Sequence, residues 1–497
     1  MLIRGGMIVS AGVQGAVRKD IVVRNGLIES VSEPGAVEGA DLAEHDATDR
    51  LITPGFVNAH THGHANLMKG VAEAWTLEAS LTHGLWLGGA RNAETVYVST
   101  LLGAVDMLSK GCTSCFDLVY EFPLPTKENF WAAAAAYRDA GMRVVLAPMV
   151  ADRHLLQAIP GLIEALPAEL RDEAAKFSMP PRDATMAAVE AIVRSRAELP
   201  SGIALALAPT IPHHCSEGFL TDCRDVAARH GLPIQMHVAE SRLQAVAARR
   251  SYGCSAVRHL AKLGILSPNF TAAHGVWLNA DDLDVLAAHG CSVAHMPASN
   301  FRLGSGLAHV RPMLDRGINV GLGTDGANSS DALSMIAAMR LASYGARAIA
   351  GSREGWLRAP EILSMATEGG ARALGRHDGR IAPGAPADLA FFDLGHVDFL
   401  PANDPVNQIV TCADSSSVTD VMTDGEFRLR RGKFTSLDLV ELREKVVRST
   451  SRLSRATDAM RRLAGRLEPH VVAFADALAS EPVGMERHVR AGAGAWS

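Results

Sequence analysis

The hydrophobic pattern of the central chain alternates between short apolar runs and longer segments with helical spacing. Short apolar runs are typical of buried strands, and apolar positions at i, i+3, i+4 and i+7 are typical of helices. The pattern predicts strands at 56–62, 112–118, 143–149, 203–209, 233–239, 270–274, 291–295 and 318–325. It predicts helices at 91–110, 128–140, 217–230 and 331–349. Eight strands alternating with helices indicate an α/β protein with a (β/α)8 TIM-like barrel.

The two ends of the chain carry a different pattern, in which short apolar segments meet at tight turns. Asn25-Gly26 lies between apolar runs near the start, and Asp424-Gly425 does so near the end. Asn-Gly and Asp-Gly in this setting are strong hairpin signals. We therefore expect residues 1–53 and 377–435 to form one small β-sandwich domain around a barrel at 54–376.

Residues 436–497 change character again and predict a helical tail. Leu439, Leu442 and Val446 share one helix face. That face packs either on the barrel or on a second subunit, and the sequence leaves both alternatives open. The long connection at 150–200 contains several prolines, which predicts short helices over the barrel mouth as a substrate cover.

The composition is that of an ordinary globular protein. Of 497 residues, 48% are hydrophobic and 21% are charged, which suits a large core. The net charge of −6, without a basic block, argues against a nucleic-acid partner. The first residues lack the apolar run of a secretory signal, and no apolar stretch approaches the roughly 20 residues of a membrane span. Seven cysteines are an odd, sparse count that favours reduced thiols, so we expect a cytoplasmic protein.

Candidate chemistry collects at the ends of four predicted strands. His60 and His62 end the first strand, and alternate side chains on a strand point the same way. The other groups stand at the ends of the fifth, sixth and eighth strands: His237 with Glu240, His274, and Asp325. Because catalytic groups of a barrel lie at the C-terminal strand ends, this set predicts a metal site with groups that can move protons.

These stretches resemble the amidohydrolase superfamily, in its cytosine deaminase-like and chlorohydrolase-like branch. The matching motifs are Pro54-Gly-Phe-Val-Asn-Ala-His-Thr-His62, His237-Val-Ala-Glu240, Ala273-His-Gly275, His295-Met-Pro-Ala-Ser-Asn300, Gly323-Thr-Asp-Gly326 and Pro383-Gly-Ala-Pro-Ala-Asp-Leu389. The resemblance spans residues 1 to about 435. It implies the barrel, the β domain shared between the termini, a small-molecule substrate, and a homodimer or larger homo-oligomer.

The resemblance also implies one divalent metal ion per subunit, bound by His60, His62, His237 and Asp325. Binuclear relatives bridge two metals with a lysine from the fourth strand, and residues 203–209 contain no lysine. We therefore expect a single metal, which is zinc, with Fe2+ as the alternative.

Three of the matching residues are implied to act in catalysis. Asp325 can accept a proton from the metal-bound water as that water attacks. Glu240 resembles the proton shuttle of the family, which carries the proton to the substrate nitrogen and then to the leaving group. His274 resembles the histidine that polarises the substrate or orients the water.

Two departures from adenosine-type relatives bear on the substrate. Those relatives carry Trp-Pro-x-Glu, whose glutamate holds ribose hydroxyls, whereas residues 85–89 contain no acid. They also carry a histidine where this chain has Thr210. Both departures argue against a nucleoside substrate. The candidate substrate-binding residues are Trp86, Thr210 and His213, with His83 and His214 as further candidates.

Three functions follow as hypotheses. The first is an aminohydrolase that uses a metal-activated water to hydrolyse an exocyclic C–N bond of a nitrogen heterocycle, releasing ammonia or an amine. The second keeps the site but cleaves an acyclic amide, urea or (thio)carbamate-type C–N bond, since one scaffold hosts many chemistries. The third is a non-catalytic binding protein, against which the complete set of ligand and shuttle residues speaks.

Overall fold

Strands from both chain ends and strands from the middle of the chain form separate sheets. The structure is a computed structural model that describes residues 1–9, 15–37, 42–175, 179–330 and 332–488. Its strands are β1 (Leu2–Ile8), β2 (Val17–Arg24), β3 (Leu27–Ser32), β4 (Glu44–Asp46), β5 (Arg50–Pro54), β6 (Phe56–Thr61), β7 (Cys112–Tyr120), β8 (Arg143–Val150), β9 (Ile203–Leu205), β10 (Ala208–Pro209), β11 (Ile234–Val238), β12 (Phe270–His274), β13 (Ser292–His295), β14 (Asn319–Leu322), β15 (Leu389–Asp393), β16 (Val418–Thr423), β17 (Glu426–Arg430) and β18 (Lys433–Phe434).

Strands β6 to β14 close a parallel barrel. One half contains β6, β7, β8 and the pair β9 and β10, and the other contains β11 to β14 in order. Two parallel bridges join the halves, Leu207 to Ile234 and Thr61 to Asp325. Because β9 and β10 share one strand position beside β8, the barrel has the eight positions of a (β/α)8 fold. The second bridge places the end of the first barrel strand beside the end of the last.

Strands from both chain ends form one sheet outside the barrel, in the order β18-β17-β16-β15-β5-β1-β2-β3, with β4 beside β1. β15 pairs antiparallel with β5, so that Leu389 faces Pro54 just before the barrel begins. Asn25 (φ 51) and Asp424 (φ 53) take left-handed conformations at the two hairpin turns, as Asn-Gly and Asp-Gly turns require. The predicted meeting of the chain ends is present, whereas the domain boundaries at 53, 376 and 435 stay predictions.

Helices link the barrel strands, and capping residues in the sequence set where they begin and end. Thr126 caps α4 at the N–H of Asn129, and Gly141 ends that helix at φ 70. The helices are α1 (Leu77–Thr82), α2 (Gly84–Gly88), α3 (Ala93–Leu108), α4 (Lys127–Ala140), α5 (Leu155–Ala158), α6 (Leu162–Ala165), α7 (Ala168–Ala174), α8 (Arg182–Arg194), α9 (Glu217–His230), α10 (Arg242–Tyr252), α11 (Ala256–Lys262), α12 (Ala280–Ala288), α13 (Pro297–Arg302), α14 (Val310–Asp315), α15 (Met335–Ile349), α16 (Ala359–Met365), α17 (Glu368–Ala373), α18 (Pro405–Thr411), α19 (Leu439–Ala456) and α20 (Asp458–Ala479).

The predicted barrel elements lie close to the observed ones. The four predicted helices correspond to α3, α4, α9 and α15, and residue 331, where the last prediction begins, lies outside the described residues. The eighth strand ends at Leu322 rather than at 325, and Asp325, three residues farther on, has a left-handed φ of 64. The connection at 150–200 forms the short helices α5 to α7 and the longer α8.

The predicted tail consists of two helices that pack on their own chain. α19 lies against α3, and α20 lies against α1, α2, α6, α7 and α10. Of the two alternatives left open by the sequence, packing on the barrel is the one observed. Among the described residues, no helix combines the length and the apolar character needed to cross a membrane.

Helix α17 lies so close to β6 that no room is left for a methyl group at Gly370. A Cβ added at Gly370 would lie 2.6 Å from the carbonyl oxygen of Val57 and 2.9 Å from its Cβ. Gly370→Ala should therefore lower the free energy of unfolding by about 1–3 kcal/mol, the range for overpacked cores, as measured by thermal or denaturant unfolding. Gly351→Ala is the matched control, because its Cβ meets nothing within 4 Å. Equal stability of the two variants would contradict the close approach.

Candidate metal centre and active site

Side chains from four barrel strands meet at the C-terminal mouth. Their ligand atoms form two adjoining groups, each within 4.8 Å: His60, His62 and His237, and Glu240, His274 and Asp325. All six residues are buried. The structure therefore brings together every residue that the sequence analysis assigned to metal binding or catalysis.

The three histidines of the first group are held by their Nδ1 atoms. His62 Nδ1 lies 2.9 Å from the carbonyl oxygen of Leu118, and His237 Nδ1 lies 2.7 Å from that of Thr210. A carbonyl oxygen can accept but not donate, so both Nδ1 atoms carry the proton. His60 Nδ1 lies 2.6 Å from Gln235 Oε1. Each ring therefore directs Nε2 inward with its lone pair free, as metal-binding histidines require.

The inward-facing nitrogens are arranged for a cation. His62 Nε2 and His237 Nε2 are 3.3 Å apart, and His60 Nε2 is buried without a hydrogen-bond partner. Burial, and then the neighbouring His60, lower the pKa of His62 to about 4 and that of His237 well below its usual value. Both rings are neutral near pH 7, so two lone pairs face each other in a buried space. A divalent metal ion between them turns this repulsion into coordination, and the residues present fit such an ion.

Asp325, a member of the second group, places a carboxylate beside the three histidines of the first. Its Oδ1 lies 3.3 Å from His62 Nε2 and accepts the backbone N–H of Gly326 at 2.6 Å. Its Oδ2 accepts the Ser299 hydroxyl at 2.6 Å and lies 3.9 Å from His274 Nε2. One oxygen therefore faces the histidine nitrogens while the other is held by a hydroxyl donor.

Glu240 and His274 form a second polar pair beside the first group. Glu240 Oε2 lies 3.4 Å from His274 Nε2, and His274 Nδ1 lies 3.0 Å from Asn300 Oδ1. Burial, and then the charges of Asp325 and Glu78, raise the pKa of Glu240 well above its usual value. A carboxyl group of this kind holds a proton more readily than a solvated glutamate, which suits a group that passes protons.

Three residues at these strand ends have a positive φ although none is glycine. Ala239 has φ 51, His274 has φ 71 and Asp325 has φ 64. Left-handed conformations cost energy for residues with a Cβ, and such positions cluster at functional sites. At Ala239 the turn redirects the chain between His237 and Glu240, so that both side chains reach the mouth.

Several supporting residues were not found from the sequence. Gln235 holds His60, while its Nε2 donates to the carbonyl oxygen of Ala59 at 3.0 Å. Asp117 accepts the N–H of Gly63 at 2.7 Å and the Tyr137 hydroxyl at 2.8 Å, and burial raises the pKa of Asp117 to about 6. The position of Gln235 two residues before His237, on the same strand face, is the one signal that pointed to it.

A cavity opens above the two groups and is lined by apolar and polar residues in similar number. Thr210 and His214 belong to the lining, together with His62, His237, Glu240 and Asp325. The predicted substrate residues Trp86 and His213 lie outside that lining. The Trp86 ring packs with Met68, Leu453 and Ala464, and His213 stacks on Tyr252 at a centroid distance of 5.3 Å. Substrate contact by Thr210 stays a prediction, and Trp86 and His213 are placed behind the wall.

Comparison with known proteins gives the class of this fold and site. The model of the amidohydrolase family matches residues 51–428. The chain is 33% identical over 439 residues to a 5'-deoxyadenosine deaminase of Methanothermobacter thermautotrophicus, covering 88% of this chain and 95% of that one. It is 31% identical to a 5-methylthioadenosine/S-adenosylhomocysteine deaminase of Pyrococcus furiosus, covering 90% and 99%.

Solved structures agree in fold. An adenosine deaminase from Xanthomonas campestris with bound zinc has a TM-score of 0.79 at 25% identity, covering 91% of this chain and 98% of that one. An atrazine chlorohydrolase from Arthrobacter aurescens, complexed with zinc, has a TM-score of 0.80 at 24% identity, covering 90% and 99%.

The chain belongs to the amidohydrolase family. The predicted family and the (β/α)8 barrel are thereby confirmed, as is the predicted class of enzyme, a hydrolase of C–N bonds other than peptide bonds. The zinc-bound relative and the buried histidine and carboxylate groups support a divalent metal in this site.

Gln235 supplies the test of how the metal-facing nitrogens are oriented. Gln235→Leu removes the partner of His60 Nδ1, so the ring loses its fixed tautomer and direction. Metal affinity should fall by about 10- to 100-fold, measured by competition against a chelator. Gln244→Leu is the matched control, because Gln244 accepts the backbone N–H of Glu240 and contacts no histidine of the group. Equal metal affinities in the two variants would contradict the orienting role.

Proposed function

We propose that this protein is a metal-dependent aminohydrolase that hydrolyses an exocyclic C–N bond of a nitrogen heterocycle and releases ammonia or an amine. The observation that carries the proposal is the facing pair of His62 and His237 Nε2 atoms beside Asp325 and a buried Glu240. A metal-binding group and a proton-holding carboxyl group therefore open into the same cavity.

In this proposal the ion is held by His60, His62, His237 and Asp325. Zinc is the proposed metal and Fe2+ the alternative, since imidazole and carboxylate ligands suit both. A bound divalent ion lowers the pKa of a water molecule it coordinates and so supplies a nucleophile near pH 7. The protein holds one such ion, because strand β9–β10 carries no lysine to bridge a second.

The proton transfers fall to this chain's carboxylates. Asp325, with Oδ2 held by Ser299, accepts the proton of the attacking water. Glu240, whose raised pKa lets it hold a proton near neutral pH, gives that proton to the ring nitrogen next to the attacked carbon. It then takes the proton of the added hydroxyl to the leaving amine, and the proton held by Asp325 returns Glu240 to its protonated form. His274 stands 3.4 Å from Glu240 Oε2 and orients the water or the substrate.

The cavity supports a heterocyclic amine with an apolar substituent. The deaminase relatives are named for 5'-deoxyadenosine, 5-methylthioadenosine and S-adenosylhomocysteine, all of which are adenosine derivatives. Here the wall contributes Leu81, Leu85 and Leu87, and among the described residues Glu240 and Asp325 are the acidic lining residues. A pair of sugar hydroxyls would find no carboxylate apart from these two. We therefore infer that the amine-bearing ring is shared with the relatives and that the substituent is less polar than a ribose.

We also propose a homodimer or larger homo-oligomer and a cytoplasmic location, both of which stay predictions. The second hypothesis, an acyclic amide, urea or (thio)carbamate substrate, uses the same residues in the same roles and becomes one outcome of the substrate test.

The substrate test is product analysis with metal-replete protein. The panel contains amino-substituted purines, pyrimidines, pterins and triazines with apolar or hydroxylated substituents, and acyclic amides, ureas and carbamates. The expected result is ammonia or amine released from a ring carbon, fastest for apolar substituents. Turnover of the acyclic compounds alone would contradict the heterocycle proposal.

Glu240→Gln separates proton transfer from metal binding. The amide cannot pass a proton, so turnover should fall by about 10²- to 10⁴-fold, while metal content measured by elemental analysis stays at the wild-type level. Near-normal turnover in this variant would refute the assignment of Glu240.

His60→Ala and Asp325→Ala form the complementary pair. Each removes one proposed ligand, so both should lower metal content as well as turnover. Full metal occupancy in both variants would place the ion elsewhere.

A further inference from the structure

The C-terminal tail lies outside the family match, which ends at residue 428, yet it packs over the mouth of the barrel. α20 contacts α1 and α2, whose residues line the cavity, and also α6 and α7 of the connection after β8. Beyond α20, Arg249 Nη2 donates to the carbonyl oxygen of Val483 at 2.6 Å, which ties this part of the tail to α10. The tail therefore packs directly on the helices α1 and α2 of the cavity wall.

The segment α1–α2 is a two-sided wall. Leu81, Leu85 and Leu87 contribute to the cavity lining. From the same segment, His83 and Trp86 lie outside the lining and contact the tail. Cavity-lining and tail-contacting side chains therefore lie within a few residues of one another, and Leu87 belongs to both sets, so a shift of the outer side moves the inner one.

A hydrogen-bonded relay connects this wall to α20. The Trp86 indole N–H donates to His83 Nδ1 at 2.7 Å, so Nδ1 acts as an acceptor and the His83 proton resides on Nε2. His83 Nε2 then donates to Glu468 Oε2 at 2.8 Å. Trp75 stacks on His83 with a centroid distance of 4.2 Å and an interplanar angle of 8°. Each N–H of this relay therefore points from the cavity wall toward the Glu468 carboxylate.

Apolar packing surrounds the relay. Trp86 and Leu87 are buried together with Leu453 from α19 and Ala464 from α20. The Arg461 guanidinium lies 5.1 Å from the centroid of a Trp86 ring, within the range of a cation–π contact. The buried side chains and the hydrogen bond from His83 to Glu468 therefore hold the same, tail-facing side of the wall.

The connection that contains α5 to α7 is joined to the same helix. Arg466 Nη1 lies 2.9 Å from Glu173 Oε2 on α7, and a Cβ added at Gly161 would lie 3.5 Å from the Phe474 ring. Two short covers, α1–α2 and α5–α7, are therefore spanned by one long helix.

We propose that α20 is a positioning element for substrate binding, in which Glu468 sets the position of the cavity wall through His83 and Trp86. The proposal rests on the proposed function for the statement that substrate occupies this cavity. Its physical reason is the length of the wall helices, six residues in α1 and five in α2. Isolated helices this short are unstable in water, so their place depends on what they pack against.

The first test measures the wall without any substrate. Hydrogen–deuterium exchange is followed by mass spectrometry on the full-length, metal-replete wild type, Glu468→Ala, Glu468→Gln and Glu444→Ala. Glu468→Ala should raise exchange in peptides covering residues 77–88 by about fivefold, as expected for the loss of one hydrogen bond, with peptides of β12 unchanged. Glu468→Gln retains an acceptor for His83 Nε2–H and should restore the wild-type rates.

Glu444→Ala is the matched control, since Glu444 forms an exposed ion pair with Arg448 within α19. Wild-type exchange at 77–88 in Glu468→Ala would overturn the proposal. So would an equal rise in Glu444→Ala, or a failure of Glu468→Gln to restore protection.

The second test separates positioning from general stability. With a compound that the wild type turns over, Glu468→Ala should raise KM by about fivefold while kcat and metal content change by less than about twofold, and Glu468→Gln should return KM to the wild-type value. An unchanged KM despite a loosened wall would overturn the positioning role. If the wild type turns over no compound of the panel, the proposed function fails, whereas the exchange comparison still decides whether the tail holds the wall.

Discussion

The structure depends on two neutral imidazoles that face each other across a buried gap. His62 and His237 each donate Nδ1–H to a backbone carbonyl, which leaves two Nε2 lone pairs 3.3 Å apart. Lone pairs at this distance repel unless a cation lies between them, and burial keeps both rings from protonating near pH 7. Folding thus builds a site whose energy is lowered by metal binding, as is general for metal sites formed from deprotonated ligands.

The barrel, the sheet formed by the chain ends and the C-terminal tail support this pair of histidines at different distances from it. The bridge between Thr61 and Asp325 brings the ends of the first and last barrel strands together. Gly323 lies so close to β6 that an added Cβ would be 2.9 Å from the backbone nitrogen of His60. The sheet from the chain ends fixes the start of β6 through β5 and β15. The tail packs farther out, on helices α1 and α2 of the cavity wall. The candidate metal and proton-transfer groups are therefore placed by strand ends, and part of the cavity wall is placed by helices.

Strand ends could be predicted from the sequence, because apolar runs and Gly-containing turns are local signals that parallel strands place at one mouth. His60, His237 and Asp325 were found in this way. Gln235 was not, because its position on the same strand face as His237 indicates only that it faces the site, and not that it holds His60. Trp86 was expected in the cavity and packs on the tail instead. Which face of the short helix α2 turns inward depends on its contacts with α19 and α20, which lie far away in the sequence. The hydrophobic periodicity of the sequence does not reveal long-range packing partners of this kind.

Anomalous X-ray diffraction at the zinc edge, from crystals of the metal-replete protein, locates the metal directly. We expect one peak per chain, about 2.0–2.2 Å from the Nε2 atoms of His60, His62 and His237 and within bonding distance of Asp325. A peak located away from these nitrogens, a second peak of equal height in the site, or closely facing His62 and His237 with no metal between them would contradict it.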